Sequence, residues 1–146
     1  MFVVDSNILI YAANQNAPEF ETCNATLEKW RRQPGRWHLT WSVCFEFMRA
    51  VTHRATLERP WSLAEAWSFL DTLRQSPGLR ILAPTENFAA AFAETISTAR
   101  YLSGSDVHDA GIAAVMKEHG VRTIYTHDRG FHRFPFLEVI DPIAES

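Results

Sequence analysis

The chain has 146 residues, of which 47% are hydrophobic and 21% charged, and its formal net charge is −3. These values are typical of a soluble globular domain that buries its core without disulfides or a structural metal. The net charge gives no overall attraction to nucleic acid, although metal ions bound to clustered acids would reverse the local field. We predict one domain over residues 1–146, without a linker.

Cysteine spacing and the lengths of the apolar runs indicate the cellular compartment of the protein. Cys23 and Cys44 match no metal-ligand spacing and lie in helical patterns, so we expect reduced core thiols. The amino terminus lacks the basic region of a signal peptide, and Asp5 interrupts its apolar run early. No apolar stretch approaches the ~20 residues that a membrane-spanning helix needs. We therefore expect a cytoplasmic protein with no membrane segment.

The chain opens on an apolar run, residues 1–4, that leads directly into Asp5. A short run rich in β-branched residues predicts a strand buried on both faces, at the centre of a parallel sheet. Ser6 or Asn7 then starts a short helix to Ala13. Asp5 therefore stands where open α/β sheets bind ligands, although taken alone it is more simply a helix cap.

The rest of the chain alternates helices and strands. Helices are predicted over residues 18–32, 42–55, 62–75 and 106–119, with a further long helix from residue 84 to the Ser103–Gly104–Ser105 interruption. Strands are predicted over residues 38–41, 79–83, 121–126 and 137–140, with a helical turn over 128–132. Gly120 is expected just after a helix end. This alternation predicts a three-layer α/β/α sandwich with a mostly parallel sheet of four to five strands.

Apolar periodicity predicts which face of each helix is buried. The predicted core positions are Phe20, Cys23, Leu27 and Trp30, then Cys44, Phe47, Met48 and Val51, then Leu63, Ala66, Trp67 and Leu70, then Phe88, Ala91, Phe92 and Ile96. On the other face of the helix over 42–55, Glu46, Arg49 and His53 are spaced so that they share one side.

Four carboxylates fall at one edge of the predicted sheet. Asp5 and Asp128 follow the carboxyl ends of strands, and Glu46 and Asp109 lie in the first turns of helices that start at that edge. Each acid alone has a structural explanation as a helix cap, a first-turn acid or an exposed partner of a neighbouring base. Their shared edge is what favours a functional site.

Clustered acids need a compensating cation, because two unit charges about 4 Å apart repel by about 4 kcal/mol at an effective dielectric near 20. Phe45 and Phe47 flank Glu46, and Ala110 follows Asp109, so neither acid has the neighbours expected of a fully solvated charge. Oxygen ligands with open positions suit Mg²⁺ or Mn²⁺, which usually keep waters and meet substrate phosphates.

The spacing of these residues resembles that of PIN-domain nucleases. The matching segments are Asp5-x-Asn7 after the first strand, Glu46 with Arg49 three residues on, His108-Asp109-Ala110 and Thr126-x-Asp128-x-x-Phe131. The chain is most similar to the VapC toxins of prokaryotic toxin–antitoxin pairs. The resemblance covers the whole chain, and its most specific part is HDAGIAAVMKEHGVRTIYTHDRGFHRFP.

The resemblance implies an endoribonuclease that uses one or two Mg²⁺ or Mn²⁺ ions to cut structured or messenger RNA. The residues that match the family's catalytic and metal-binding acids are Asp5, Glu46, Asp109 and Asp128. Asn7 and Thr126 match positions that support these carboxylates through hydrogen bonds. The role of Asp106 stays open: it is an extra metal ligand, a helix cap, or the ligand in place of Asp109. The Ser103-x-x-Asp106 spacing favours the cap.

Basic and apolar side chains suggest the partners. Arg49, His53, Arg129 and Arg133 are predicted to hold RNA phosphates near the acids. The resemblance also implies a homodimer and a VapB-like antitoxin whose C-terminal segment crosses the early helices and blocks the acidic pocket. The candidates for the apolar surface that receives it are Trp30, Trp37, Trp61 and Trp67.

Two other functions stay open at this point. A phosphatase of the haloacid dehalogenase type also opens on a strand ending in Asp, but it needs Asp-x-Asp where this chain has Asn7. A non-catalytic PIN-like module that binds RNA or protein is the other, and the presence of all four acids disfavours it.

Overall fold

A computed structural model describes residues 1–144 and confirms the predicted three-layer α/β fold. The sheet has five parallel strands in the order β3-β2-β1-β4-β5. The strands are β1 (Val3–Val4), β2 (Trp37–Thr40), β3 (Leu79–Leu82), β4 (Thr123–Tyr125) and β5 (Glu138–Ile140). The helices are α1 (Ser6–Ala13), α2 (Phe20–Arg32), α3 (Trp41–Val51), α4 (Leu63–Arg74), α5 (Phe88–Thr98) and α6 (Val107–Glu118). Short 3₁₀ turns cover Gly104–Asp106 and Arg129–Arg133.

The order of the strands fixes where a crevice forms. The chain moves outward from β1 through β2 to β3, then crosses back over the sheet to β4 and β5. Because such crossovers are right-handed, α1 to α4 cover one face and α5 and α6 cover the other. The direction of winding reverses between β1 and β4, so the crevice lies at the carboxyl ends of these two strands.

The core surrounds β1, whose two residues are fully buried between β2 and β4. An aromatic cluster of Phe2, Trp30, Trp37 and Tyr125 packs with ring centroids 4.8 to 6.4 Å apart. Trp30 and Trp37 are only 5% and 0% exposed. The prediction that these two tryptophans contribute to a partner surface is therefore wrong, because both are core residues.

The boundaries of α3 differ from those predicted. The strand ends at Thr40 rather than Trp41, and the Thr40 hydroxyl accepts a hydrogen bond from Val43 N at 3.2 Å. Thr40 therefore caps the helix that was predicted to begin at residue 42. The helix ends at Val51 rather than residue 55, and His53 Nδ1 accepts from Ala55 N at 3.0 Å in the turn that follows.

Two predicted helix faces are rotated in the structure. Leu63 and Trp67 of α4 were predicted to be buried, but they are 64% and 41% exposed. In α5, Ile96 is 45% exposed while Thr95 is fully buried and donates to Ala91 O at 2.7 Å. Small and apolar residues occur on several sides of both helices, so the apolar pattern in the sequence did not determine which side is buried.

The remaining boundaries shift by a few residues at most. α1 begins at Ser6, one of its two predicted starts, whereas α2 begins at Phe20 rather than Pro18. The largest difference is in α5, which covers Phe88–Thr98 instead of reaching from residue 84 to the Ser103 interruption. β2 and the turn predicted over 128–132 each shift by one residue, and the other strands and helices lose one to three terminal residues. Residues 145–146 of the predicted domain lie outside the described part of the chain. Within residues 1–144, every helix is too short or too polar to cross a bilayer.

Gly120 ends α6 as predicted. Its φ of 68° is in the left-handed region, and its N–H donates to Lys117 O at 3.2 Å. Val121 N donates to Met116 O at 3.0 Å, which completes a Schellman motif.

Gly120→Ala should lower the free energy of unfolding by about 1 kcal/mol, because a Cβ disfavours the left-handed conformation. The matched control is Gly111→Ala inside α6, where an added Cβ meets no heavy atom within 4 Å. That control should stabilise by about 0.5 to 1 kcal/mol through helix propensity. Urea unfolding measures both, and changes of the same sign would contradict the assignment.

Candidate active site

Asp5 lies directly after β1, where the strand ends at the crevice. Its backbone N–H donates to Tyr125 O at 3.0 Å, which extends the pairing of β1 with β4 by one residue. Its Oδ1 accepts from Ser6 N at 2.7 Å, and its Oδ2 accepts from the Thr126 hydroxyl at 2.8 Å. The side chain thus caps α1 and also reaches the residues after β4, so the cap and the site are compatible.

Asn7 and Thr126 both hydrogen-bond to Asp5, as the family resemblance implied. Asn7 Nδ2 donates to Thr126 Oγ1 at 3.0 Å and to Asp5 Oδ2 at 3.3 Å, and Asn7 Oδ1 accepts from His127 N at 3.1 Å. Thr126 Oγ1 also accepts from Asp128 N at 2.9 Å. Because Thr126 gives its single proton to Asp5, this network fixes the segment that carries Asp128 against the end of β1.

Asp109 and Asp128 approach each other beside Gly130. A Cβ added to Gly130 would lie 3.2 Å from Asp128 Oδ1 and 3.4 Å from Asp109 Oδ2. Gly130 N donates to Asp128 Oδ1 at 2.8 Å. Among the residues described, none donates a hydrogen bond to the Asp109 carboxylate. Glycine therefore leaves room where two carboxylates from separate elements meet.

A cleft of about 680 Å³ opens over these acids. Its walls are formed by Ser42, Phe45, Glu46, Arg49, Ser105, His108, Asp109, Ile112 and Asp128. Asp5, only 4% exposed, is buried beside them. Glu46 is exposed. Of the two aromatic residues next to it in sequence, Phe47 is fully buried in the core and Phe45 is 65% exposed.

Burial and neighbouring charges raise the pKa values of two of the acids. Burial raises the pKa of Asp5 to about 6, and the charges of Glu46 and Asp128 add to this, while hydrogen bonds from Thr126 and Ser6 oppose it. Burial likewise raises the pKa of Asp109 to about 7, with contributions from Asp5, Asp128 and Glu46. The charges of Glu46 and Asp128 act on the pKa values of Asp5 and Asp109 because these side chains lie near one another around the cleft.

Asp106 is the acidic partner of the capping box that Ser103 forms at the 3₁₀ turn Gly104–Asp106, and its side chain makes no capping hydrogen bond to α6. Its Oδ2 accepts from Ser103 N at 2.9 Å, from Ser103 Oγ at 3.1 Å and from Arg133 Nη1 at 2.7 Å. The Ser103 backbone hydrogen bond is the main cause that lowers the pKa of Asp106, and Arg133 contributes. Arg133 Nη1 also donates to Tyr101 O at 2.8 Å. Arg133 therefore links the segment after Asp128 to the residues just before α6. The sequence predicted an RNA contact for Arg133 and did not predict this structural role.

The other three residues predicted to contact RNA differ in whether they line the cleft. Arg49 lines it, whereas His53 and Arg129 are exposed outside its walls. His108 also lines the cleft. No role was predicted for His108, although its position before Asp109 in the first turn of α6 was a usable signal in the sequence.

The donor set suits a hard divalent cation. Within residues 1–144, no three acidic, histidine or cysteine side chains already form a metal cage. Mg²⁺ is usually held by only one or two carboxylates and completes its shell with water and substrate phosphate. Asp109 and Asp128, which share the space beside Gly130, with buried Asp5 nearby, fit that requirement.

Comparisons with known proteins agree with this geometry. A family described as "PIN domain" matches residues 2–137. The chain is 33% identical over 143 residues to Ribonuclease VapC43 of Mycobacterium tuberculosis, covering 98% of this chain and 96% of that protein. Its fold is similar to that of Mycobacterium tuberculosis VapC20, a sarcin-ricin loop cleaving toxin, with TM-score 0.64, 21% identity, and 97% and 100% coverage. It is also similar to VapBC2 from Rickettsia felis bound to a promoter DNA fragment, with TM-score 0.66, 18% identity, and 94% and 96% coverage.

Asp109→Asn should stabilise the protein in EDTA. Folded Asp109 keeps its proton up to about pH 7, whereas the unfolded chain releases it near 3.8, so the free energy of unfolding falls as pH rises through this window. Removing the charge should raise the unfolding free energy at about pH 8 by about 1 to 2 kcal/mol, after allowance for solvent screening. It should also flatten the pH dependence.

Urea unfolding in EDTA at several pH values measures the effect. The control is Asp71→Asn on α4, whose carboxylate pairs with Arg74 at 2.8 Å outside the cleft. We expect little change in the control. A loss of stability in Asp109→Asn at alkaline pH would argue against repulsion among the acids.

Proposed function

Because the chain belongs to the PIN-domain family and, within it, to the VapC ribonucleases, we propose that it hydrolyses RNA phosphodiester bonds with divalent metal ions held in the acidic cleft. It is the toxin endoribonuclease of a toxin–antitoxin pair. The observation that carries the proposal is the meeting of Asp5, Asp109 and Asp128 at the carboxyl ends of β1 and β4.

Asp5, Glu46, Asp109 and Asp128 are the residues that would hold Mg²⁺ or Mn²⁺, as one ion or two. When bound, the metal polarises the scissile phosphate and lowers the pKa of the water that attacks it. Thr126 and Asn7 keep the Asp5 carboxylate and the Asp128 backbone in register through their shared hydrogen bonds. Positioning and charge neutralisation supply most of the rate gain in phosphoryl chemistry, so a rigid acidic frame suits the reaction.

Basic side chains outside the acids would hold the flanking strand. Arg49 contributes to the wall next to Glu46, and His53 and Arg129 lie exposed beyond the cleft. Phosphate contacts of this kind position RNA without reading its sequence. They also make binding weaker as salt rises.

A groove between α2 and α4 is our candidate site for the antitoxin. It has a volume of about 350 Å³ and an apolar floor that includes Leu27, Trp61 and Phe69. Glu28 and Arg31 lie along its α2 side. This position agrees with the predicted crossing of the early helices by a VapB-like segment. The homodimer and the cytoplasmic location stay predictions.

The phosphatase alternative is disfavoured by Asn7. That chemistry needs a carboxylic acid at this position to protonate the leaving group, whereas the Asn7 amide donates to Asp5 and Thr126. Trapping of an aspartyl-phosphate would revive it. A non-catalytic binding module is distinguished by the cleavage experiment below.

Asp128→Asn should lower the rate of RNA cleavage by about a hundredfold or more, because the electrostatic stabilisation it provides is lost. The amide oxygen can still accept from Gly130 N, so the loop should keep its shape. Cleavage of total RNA with Mg²⁺ measures the effect, with EDTA as the metal-free reference and Asp71→Asn as the control. Undiminished cutting by Asp128→Asn or in EDTA would contradict the proposal, and absence of cutting by the unmodified protein would favour the binding module.

Mn²⁺ affinity should fall as pH is lowered from about 8 to about 6, because protons compete for the carboxylates. The raised pKa values of Asp5, about 6, and of Asp109, about 7, place the competition in this range. Calorimetry in two buffers with different ionisation enthalpies should therefore detect proton release on binding. Asp109→Asn should release fewer protons, and an affinity independent of pH would argue against a site built from these acids.

A further inference from the structure

Phe45 differs from the other exposed apolar side chains in its position. In the described chain the large hydrophobic residues that are exposed are Met1, Phe45, Leu63, Trp67, Ile96, Tyr101 and Val107. Phe45 is 65% exposed and is the member of this set that lines the acidic cleft. Single exposed hydrophobic residues are ordinary in globular proteins, so it is the location of Phe45 that carries information.

The structure holds the Phe45 ring in place without covering it. The half-buried Trp41 ring lies one helical turn earlier on α3, with its centroid 6.1 Å from that of Phe45 and its plane inclined by 31°. Phe45 immediately precedes Glu46, and Arg49 follows one turn later in the same wall. A supported aromatic ring, a carboxylate and a cation therefore adjoin one another on α3.

The start of α6 forms the facing part of the cleft. His108 and Asp109 line it there, together with Ser105 from the preceding turn. An RNA strand with its scissile phosphate at Asp109 and Asp128 would bring a neighbouring nucleotide against the α3 wall. Aromatic side chains bind unpaired bases by stacking, since every base has an apolar face.

We propose that Phe45, supported by Trp41, forms a stacking subsite for an unpaired nucleobase next to the scissile phosphate. This inference rests on the proposed ribonuclease function. A base inside a duplex is stacked on both faces, so the ring can receive only a base that is unstacked from its neighbours.

The test compares two labelled probes of equal length by fluorescence anisotropy. One is a short single-stranded RNA of mixed sequence, and the other is an abasic strand with the same sugars and phosphates. Binding is measured in an Asp128→Asn background so that the RNA stays intact. Phe45→Ala should weaken binding of the RNA by about 5- to 100-fold and leave binding of the abasic strand unchanged.

Conservative variants separate stacking from simple apolar contact. Phe45→Tyr and Phe45→Trp should retain affinity, whereas Phe45→Leu, which keeps apolar bulk without a ring, should lose it. Leu63→Ala on α4 is the control, because Leu63 is 64% exposed and lies outside the cleft. Melting temperatures of all variants verify that each is folded.

The outcomes distinguish this subsite from the function beneath it. If the unmodified protein cuts RNA but Phe45→Ala or Phe45→Leu binds both probes as the parent does, the subsite is wrong and the ribonuclease function stands. Equal losses for RNA and the abasic strand would also overturn stacking. If the unmodified protein neither binds nor cuts RNA, both proposals fail.

Discussion

The parallel pairing of β1 with β4 is the interaction on which the acidic cleft depends. It continues past Val4 as the hydrogen bond from Asp5 N to Tyr125 O at 3.0 Å. Thr126 then reaches the Asp5 carboxylate across 121 residues of sequence. Because winding reverses between these strands, no crossover helix fills the space above them, and the side chains that follow each strand face a shared crevice.

A buried apolar residue anchors each acid close to it in sequence. Val4 precedes Asp5, Phe47 follows Glu46, Ala110 follows Asp109, and Phe131 comes three residues after Asp128; all four apolar residues are at most 1% exposed. Burial of each such side chain contributes free energy that opposes the repulsion among the carboxylates. The core therefore holds the carboxylates in an arrangement that their mutual repulsion opposes.

The sequence was sufficient to predict the three layers of the fold and the edge of the sheet at which the four acids lie. Hydrophobic periodicity and the geometry of parallel sheets determine both. It was insufficient where the apolar pattern does not fix the rotation of a helix. Leu63 and Trp67 of α4 were predicted to be buried, but they are 64% and 41% exposed. The ion pair between Arg133 and Asp106 left no local signal, because its partners are 27 residues apart and meet only after folding.

The central claim is that carboxylates from separate parts of the chain share divalent ions in one pocket. Anomalous diffraction from crystals soaked in Mn²⁺ tests it most directly. The account predicts a manganese peak between the Asp109 and Asp128 carboxylates, within reach of Asp5 and lost in Asp109→Asn. Manganese found only elsewhere on the protein, or a peak unchanged in Asp109→Asn, would contradict it.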